Sequence, residues 1–598
     1  MRDCRCTKER VGLGALIWCV PEYWQLEIYS RFRGPCVIDC TQNLLVSPLH
    51  LQLFTHGHRQ PSSWPSAGCQ PYHRLRKRTD SFGGELGPIC RPELEPAVGL
   101  ACSSLKGGPN LGREWIVEEL QEQTGQRLWS QLGLVWERLA KAAAAKLVDV
   151  QDSEEQDLIN LSLALAKLER NLLAGIEEYQ RAASGHEEAI RSLLFHITTF
   201  SRIEDEKYHT LHAVMTQLLS NLISPIHPSF PETGTADEKL AIYLSGNRED
   251  DVIARLLDSK DPKTNSATIH LLNNLTRQSR HRCELILSSP AGISWLSRLL
   301  DRLEIFHDAS DGRFELSTQI FTTFIDFSLH PRLFGALASV DEVISPSQTS
   351  LLKVLDAYIQ RNSDIDLNAN LFLIQVLHLL SAYCVIATRS AQDDPRLPKV
   401  LEGLHLVCEI LCAIGLAVQA RIDEKGIRTS AELKQVPGVV VVKGLKLGDG
   451  ERPSLIRPVI DLLKELEVFQ PRTNPRLARA DATAPIIPPD QARPIAQLKR
   501  VLVELLGVLT FGDTDVGDQV REAGGVQLVL GMTEMDEGNP YLREHALLVV
   551  RNLMLGNPTN QALIGQMDPV GVLGQNGELL AVPERMKRSP GASSGDAS

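Results

Sequence analysis

His405, Cys408 and Cys412 fall on one helical face at i, i+3 and i+7, an imidazole and two thiols that a soft metal such as copper would accept. On an apolar helix the same cysteines read more simply as small buried hydrophobes, so no metal site is assigned. Met532 and Met535 form the single Met-x-x-Met pair among seven methionines, too sparse for copper handling. Cys36-x3-Cys40 with His56 and His58 offers zinc ligands at a spacing that fits no standard finger. Phosphate chemistry has no better footing, because Gly444–Gly450 lacks the Lys-Ser/Thr that follows a phosphate loop. His-Glu-x-x-His does not occur. Gly591-Ala592-Ser593-Ser594-Gly595 has the formal spacing of a nucleophile elbow but sits in a small, polar tail without the strand and helix that elbow needs. No catalytic, cofactor-binding or metal-binding residue is assigned, and the chain is expected not to be an enzyme.

Asparagine is the more promising residue. The phrase Leu-x-x-Asn-Leu, or close to it, ends several amphipathic segments and places Asn171, Asn221, Asn274 and Asn552 alike. The first three step by 50 and 53 residues (221 − 171 and 274 − 221), near the ~40–47-residue period of armadillo and HEAT units. In armadillo carriers such an Asn offers a donor and an acceptor to an extended peptide backbone. The alternative is a bond to a neighbouring helix or loop carbonyl. Lys167, Gln217, His270 and Leu548 stand where those carriers place Trp one turn earlier, so lysine-rich cargo has no slot to stack in.

These asparagines need helices to hold them, and from Trp115 onward the apolar period is 3.6. Helices are predicted over, among others, Leu158–Leu173, Glu206–Ile223, Asn265–Thr276, Leu367–Ala387, Leu401–Ala420, Gln497–Phe511, Asp518–Met532 and Tyr541–Leu555. Only Val439–Val442 is β-prone, and Pro437, Gly438 and Gly444 make it a turn-bound excursion. The expected fold is all-α: an armadillo/HEAT-like α-solenoid, a right-handed superhelix with a disordered N-terminal arm. Its parts are an arm over 1–113, disordered or even non-authentic; armadillo-like repeats over 114–469; a Pro-rich linker over 470–495; a C-terminal armadillo-like domain over 496–568; and a disordered tail over 569–598. If the Asn-bearing helices are the inner ones, Asn171, Asn221, Asn274 and Asn552 line the groove while the following Leu points to the core.

Over the last hundred residues the sequence is most specific: Asp518-Gln519-Val520-Arg521-Glu522-Ala523-Gly524-Gly525-Val526, then Met535-Asp536-Glu537-Gly538-Asn539-Pro540-Tyr541-Leu542-Arg543-Glu544-His545-Ala546, Arg551-Asn552-Leu553 and Asn557-Pro558-Thr559-Asn560-Gln561. This stretch resembles the C-terminal domain of the ataxin-10 family, armadillo-like proteins whose fungal members are sometimes named copper-transport proteins. Leu165–Gly175 resembles the family's first repeat, whereas residues 1–113 resemble nothing in it. His545 stands where the family usually has Trp. Gly524-Gly525 suits a tight turn between helices, and Asn539-Pro540 suits a helix start, with Asn capping and Pro in the first turn. Arg543, on that helix, joins the four asparagines as a partner-binding expectation. The resemblance implies a cytoplasmic, non-enzymatic protein–protein interaction scaffold linked to cytokinesis and cell division. A nuclear-import adaptor and a helical-solenoid exchange factor for a G protein are the alternatives.

Composition narrows the partners. The 598 residues are 43% hydrophobic and 23% charged, the balance of a chain that packs a core. The net charge of −12 argues against nucleic acid, which needs clustered Lys and Arg. The basic run Arg74–Arg78 is small and lies in the arm. Eight of the 12 cysteines lie in that arm as well, leaving a main body suited to a reducing compartment. The most apolar helix, Leu404–Val418, carries Glu409 and falls short of the ~20 residues a membrane span needs, so no membrane partner is expected. Other proteins are the expected partners, no cofactor is expected, and homo-oligomer formation stays open.

Overall fold

The computed structural model describes residues 124–145, 152–224, 234–248, 251–308, 312–362, 366–390, 394–427, 429–448, 453–472, 489–536, 538–567, 572–573 and 579–580. The arm 1–113, its cysteines, His56, His58 and basic run, most of the stretch 470–495 and the tail after 580 with its Gly-x-Ser-x-Gly lie outside them. The chain divides between Leu337 and Ala338 into two compact units.

The first unit contains α1 (Thr124–Ala145), α2 (Asp152–Leu173), α3 (Glu187–Ile197), α4 (Glu206–Ile223), α5 (Val252–Asp258), α6 (Pro262–Thr276), α7 (Arg280–Ser288), α8 (Pro290–Asp308) and α9 (Gly312–Asp326). α2, α4, α6 and α9 pack side by side as one layer, and α1, α3, α5 and α8 form a second layer behind it. Between the layers lie the large side chains Trp136, Tyr208, Tyr243, Trp295, Phe321 and Phe324, each buried. Burial of side chains this size stabilises by about 1.5–3 kcal/mol apiece. This two-layered stacking of helical pairs is the α-solenoid pattern.

Polar groups between the layers come in closed sets. Glu169 Oε2 accepts from Trp136 Nε1 at 2.6 Å, and its Oε1 lies 2.7 Å from His186 Nδ1. His186 Nε2 lies 2.8 Å from the Trp129 carbonyl, and all these groups are buried. Glu187, likewise buried, meets Arg191 at 2.9 Å, Lys239 at 3.1 Å and the Tyr243 hydroxyl at 2.8 Å.

The second unit contains α10 (Pro346–Arg361), α11 (Phe372–Arg389), α12 (Leu397–Lys425), α13 (Ile456–Phe469), α14 (Pro489–Thr510), α15 (Thr514–Glu522), α16 (Gly525–Gly531), α17 (Leu542–Met554) and α18 (Pro558–Gly565). Here α10, α12, α14 and α17 make one layer; α11, α13, α15 and α18 make the other. The exception to all-helical structure among the described residues is a pair of two-residue antiparallel strands, Val572–Leu573 and Leu579–Leu580.

Local sequence explains the helix starts. Asp205, Asp261, Ser279, Ser345, Asp513 and Asn557 each accept a first-turn backbone N–H, and Pro follows at 262, 346 and 558. At the other end the layer carrying the asparagines turns through a left-handed residue: Gly175, Gln278, Ser328, Gly512 and Gly556 follow α2, α6, α9, α14 and α17. Gln278 at φ 60° and Ser328 at φ 55° are the two non-glycine residues so placed. Left-handed backbone costs an L-residue about 1–2 kcal/mol, which glycine avoids. Gln278→Gly is therefore expected to raise the unfolding free energy by up to about 1 kcal/mol. Gly556→Ala, whose β-carbon would meet nothing within 4 Å, is expected to lower it by about as much for backbone reasons alone. Urea midpoints of the two variants check both signs.

Several expectations need correction. Val439–Val442 is not a β-like excursion but the start of a helix, Val439–Leu447. Gly438 at φ +90° admits the turn, and Val439, Val441 and Leu445 bury, so packing overrides the β-branched run. Leu367–Ala387 begins as a 3-10 turn, Leu367–Leu371, before α11. Asp518–Met532 is two helices, broken at Gly524 with φ +73°. α14 starts at Pro489, inside the stretch read as linker, with Pro494 near its N-terminus. Asn539 does not cap a helix. Tyr541 holds the cap position of α17, while Asn539 Nδ2 donates at 2.6 Å to the Ala496 carbonyl and ties this turn to α14.

Helix α12 is also longer than Leu404–Val418. The helical runs Leu367–Arg389 and Leu397–Lys425 are long and apolar enough by length and composition to cross a membrane. In this fold α12 directs Leu404, Val407, Cys408 and Leu411 into the core and packs against α10, α11 and α14.

Candidate protein-binding surface

The layer α2, α4, α6 and α9 is covered on one side by the second layer and exposes a single band on the other. Each helix contributes residues spaced three and four apart: Lys167 and Asn171 from α2, Thr210 and Gln217 from α4, Lys263, His270 and Asn274 from α6, Glu315 and Gln319 from α9. Arg170 and Asn221 sit half-buried at its edges. The neighbouring Leu222 and Leu275 are buried, as expected of residues pointing to the core, whereas Leu172 after Asn171 is only half-buried.

Hydrogen bonds cross this band from helix to helix. Arg170 donates through Nη1 to Gln217 Oε1 at 2.6 Å, and through Nε and Nη2 to Asn171 Oδ1 at 3.2 and 2.9 Å. Asn221 Nδ2 donates to the Arg170 carbonyl at 2.9 Å. Asn274 Nδ2 donates to Ser220 Oγ at 3.1 Å, and Asn273 Nδ2 to Gln319 Oε1 at 2.9 Å. The result is a ladder of neutral amides and one guanidinium spanning four helices. Asn221 meets a carbonyl in the last turn of α2, where helical carbonyls lack partners, so it serves the fold. An amide carries two N–H groups and a carbonyl, so one such bond leaves further capacity toward an incoming chain.

Asn552 lies in the other unit, buried on α17, and its Nδ2 donates to the Gly507 carbonyl of α14 at 3.0 Å. It repeats the Asn221 contact. Arg543 is half-buried on the same helix. Nine residues of helix turn through 900°, so Arg543 and Asn552 occupy opposite faces and share no surface. The structure thus brings Asn171, Asn221 and Asn274 to one band of the first unit, while Asn552 and Arg543 belong to the second unit and lie on opposite faces of α17. Arg170, Gln217 and Gln319, which join the asparagines into a ladder, were not singled out by sequence as binding residues.

On the matching layer of the second unit the charges are satisfied internally. Lys353 meets Glu402 at 2.9 Å, His405 meets Glu409 at 3.5 Å, and Arg500 meets Glu504 at 3.4 Å. Burial raises the Glu504 carboxyl above its ordinary value, with Arg500 and His405 pulling it back. The face expected to tempt a soft metal is core: Cys408 and Cys412 are buried, and burial pushes both thiols up. Among the described residues no three His, Cys, Asp or Glu side chains converge to hold a metal ion. Met532 is buried while Met535 is exposed, so the pair shares no site.

α14 through α18 form the part of the chain that known proteins illuminate. Residues 498–591 match the family model described as the spinocerebellar ataxia type 10 protein domain. This part of the chain is similar to an ataxin-10 domain. The chain is 41% identical over 71 residues to the ataxin-10 homolog of Kluyveromyces lactis, covering 12% of this chain and 13% of that protein. It is 32% identical over 121 residues to bovine (Bos taurus) ataxin-10, covering 20% and 25%, and 36% identical over 78 residues to the Dictyostelium discoideum ataxin-10 homolog, covering 13% of each. The chain thus spans a quarter or less of the length of these relatives. Within the ataxin-10 domain the motif residues are structural. Gly525 has no room for a side chain, since a β-carbon would come 2.5 Å from Ile460 Cδ1 and 3.0 Å from the Val520 carbonyl. His545 is held near pKa 4 by burial, with Arg500 adding to the effect.

Proposed function

We propose that the chain is a non-enzymatic interaction scaffold that captures an extended polypeptide along the band of α2, α4, α6 and α9. One observation carries this reading: Asn171, Asn221 and Asn274 recur at the same position of α2, α4 and α6, joined from helix to helix by side-chain hydrogen bonds, and amides so placed can pair with a peptide backbone. The ataxin-10 domain supports the scaffold class. We extend the proposal to a cytoplasmic role in cell division, which rests on family resemblance. Import-adaptor function is the weaker reading, because Lys167, Gln217 and His270 replace the aromatic slots that would stack lysine-rich cargo.

Replacing Asn221 and Asn274 together by Ala is expected to weaken capture of partners from dividing cells severalfold. The cost in stability should be no more than about 1 kcal/mol per lost bond, since net hydrogen-bond contributions are of that size. Quantitative pulldown beside a melting curve separates the two effects. Normal binding per folded molecule, with a much lower melting temperature, would assign the asparagines to the fold alone.

A further inference from the structure

The basic residues of the first unit divide into two groups. Away from the band most are paired: Arg181 with Glu177, Arg191 and Lys239 with Glu187, Arg202 and Lys207 with Glu155, Lys260 with Glu204, Arg280 with Glu284, Arg298 and Arg302 with Asp258. On the band they are not. Lys167, Arg170, Lys263 and Arg277 have no carboxylate within ion-pair distance among the described residues.

Arg170 is the most informative of the four. Its guanidinium is oriented by Asn171 and Gln217, both neutral, so its direction is fixed while its charge is uncompensated. A guanidinium pre-set in this way matches a carboxylate or phosphate better than a freely rotating lysine does. Lys167 stands one helical turn away on α2; Lys263 and His270 lie on α6 along the same face, and Arg277 is the exposed residue that caps its C-terminus. The acidic residues of this face are Asp157 and Glu206 in the first turns of α2 and α4, and Glu315 and Asp326 on α9. Basic groups therefore predominate around Arg170 and along α6, with acidic groups at the starts of α2 and α4 and on α9, on a chain whose net charge is −12.

We infer that this band binds an acidic extended segment of a partner protein, its carboxylates or phosphates meeting Arg170, Lys167, Lys263 and Arg277 while its backbone meets the amide ladder. The inference rests on the reading above that the band receives a polypeptide, and it adds the chemistry of that polypeptide. A single-stranded nucleic acid fits less well, because this stretch of the band exposes no Phe, Tyr or Trp on which bases would stack.

The test uses the full chain and fluorescence anisotropy with five labelled probes: Glu-rich, phosphoserine-rich, neutral Ser/Gly and Lys-rich decapeptides, and a single-stranded RNA of equal length. The Glu-rich and phosphoserine-rich peptides are expected to bind, more weakly as salt rises, and the preferred one identifies the source of the anion. Arg170→Glu should loosen them by about tenfold, the scale of one lost charge-assisted contact. Lys167→Glu, at an exposed position that leaves the ladder intact, should do likewise without altering the melting curve. Neutral peptide bound as tightly as acidic peptide, with both reversals silent, would overturn the acidic preference and leave peptide capture standing. If no peptide binds, the capture reading fails and this inference with it. RNA bound more tightly than either acidic peptide, and lost in Arg170→Glu, would transfer the band to nucleic acid.

Discussion

Glu169→Ala is expected to destabilise the first unit by about 3–5 kcal/mol, the usual cost of removing one partner from a buried charge pair. Both carboxylate oxygens are engaged, by Trp136 Nε1 and His186 Nδ1. His186 faces an acceptor on each side, the carboxylate at Nδ1 and the Trp129 carbonyl at Nε2, an arrangement that favours the cationic ring, which carries N–H at both positions. Burial opposes that charge, but the Glu169 bond and charge outweigh it and raise the pKa above its ordinary value. A β-carbon on Gly133 would lie 3.0 Å from the ring's Cδ2, so helix α1 closes over the imidazole without room to spare. A raised histidine contributes stability that is complete below its unfolded value near 6.5 and fades as pH rises through the folded value. The difference between the parent and Glu169→Gln, which keeps an acceptor for Trp136 but not the charge, should therefore be larger at pH 6 than at pH 9. Denaturation followed by tryptophan fluorescence measures it. A loss under 1 kcal/mol, equal at both pH values, would show that the network adds nothing beyond packing.

How much of this was written in the sequence depends on the range of the interaction. Helix existence was legible, because the 3.6-residue apolar period and the Asp-Pro, Ser-Pro and Asn-Pro starts are local. The break at Gly524 was legible in part: a tight turn was expected at Gly524-Gly525, yet the apolar period also ran unbroken across it. The helix at Val439 was not, since its β-branched residues favour a strand locally and only contacts near Ile374 and Leu367 reverse that. A β-carbon on Gly444 would reach 2.5 Å from Ile374 Cδ1, a closeness that glycine permits and sequence alone does not reveal. Asn539 fits a cap by every local rule, but its strongest partner lies 43 residues back at Ala496.

The proposed binding band was half legible for the same reason. The recurrence of asparagine marked equivalent positions on α2, α4 and α6, which fall on one face of the layer. The recurrence did not say whether they serve the fold or a partner, because Asn221 and Asn552 repeat for a structural cause, a bond to the preceding helix of the layer, 51 and 45 residues away. Arg170 sat within the same repeated phrase and carried no signal of its own. Its distinction is the lack of a carboxylate and the amides that hold it, which depend on Gln217, 47 residues on. Charge, unlike apolar period, leaves no pattern along one helix when its neighbours come from others.

Acid should open the protein well before its carboxylates are neutralised. His212 is fully buried, stacked on Tyr208 with ring centroids 5.8 Å apart, and donates from Nε2 to the Ile197 carbonyl at 2.8 Å. Its Nδ1 is buried without a partner, so nothing there rewards a second proton. Burial accordingly lowers its pKa to about 4, and burial with Arg500 lowers that of His545 similarly. In the unfolded chain both return to about 6.5, so between pH 6.5 and 4 the unfolded state binds protons that the folded state refuses. Stability then falls as pH falls, by about 1.4 kcal/mol per pH unit for each histidine, or about 3 kcal/mol for His212 over the window. His545 contributes less, because part of its ring stays in water. His186 does not offset this loss, since its transition lies above 6.5 rather than below it. His212→Asn keeps a donor but cannot be protonated, so its plot of unfolding free energy against pH should be flatter than the parent's between 6.5 and 4.5. If the two plots stay parallel, the fold protonates His212 without penalty, and the packing of α4 against α3 is looser than a fully buried, stacked imidazole requires.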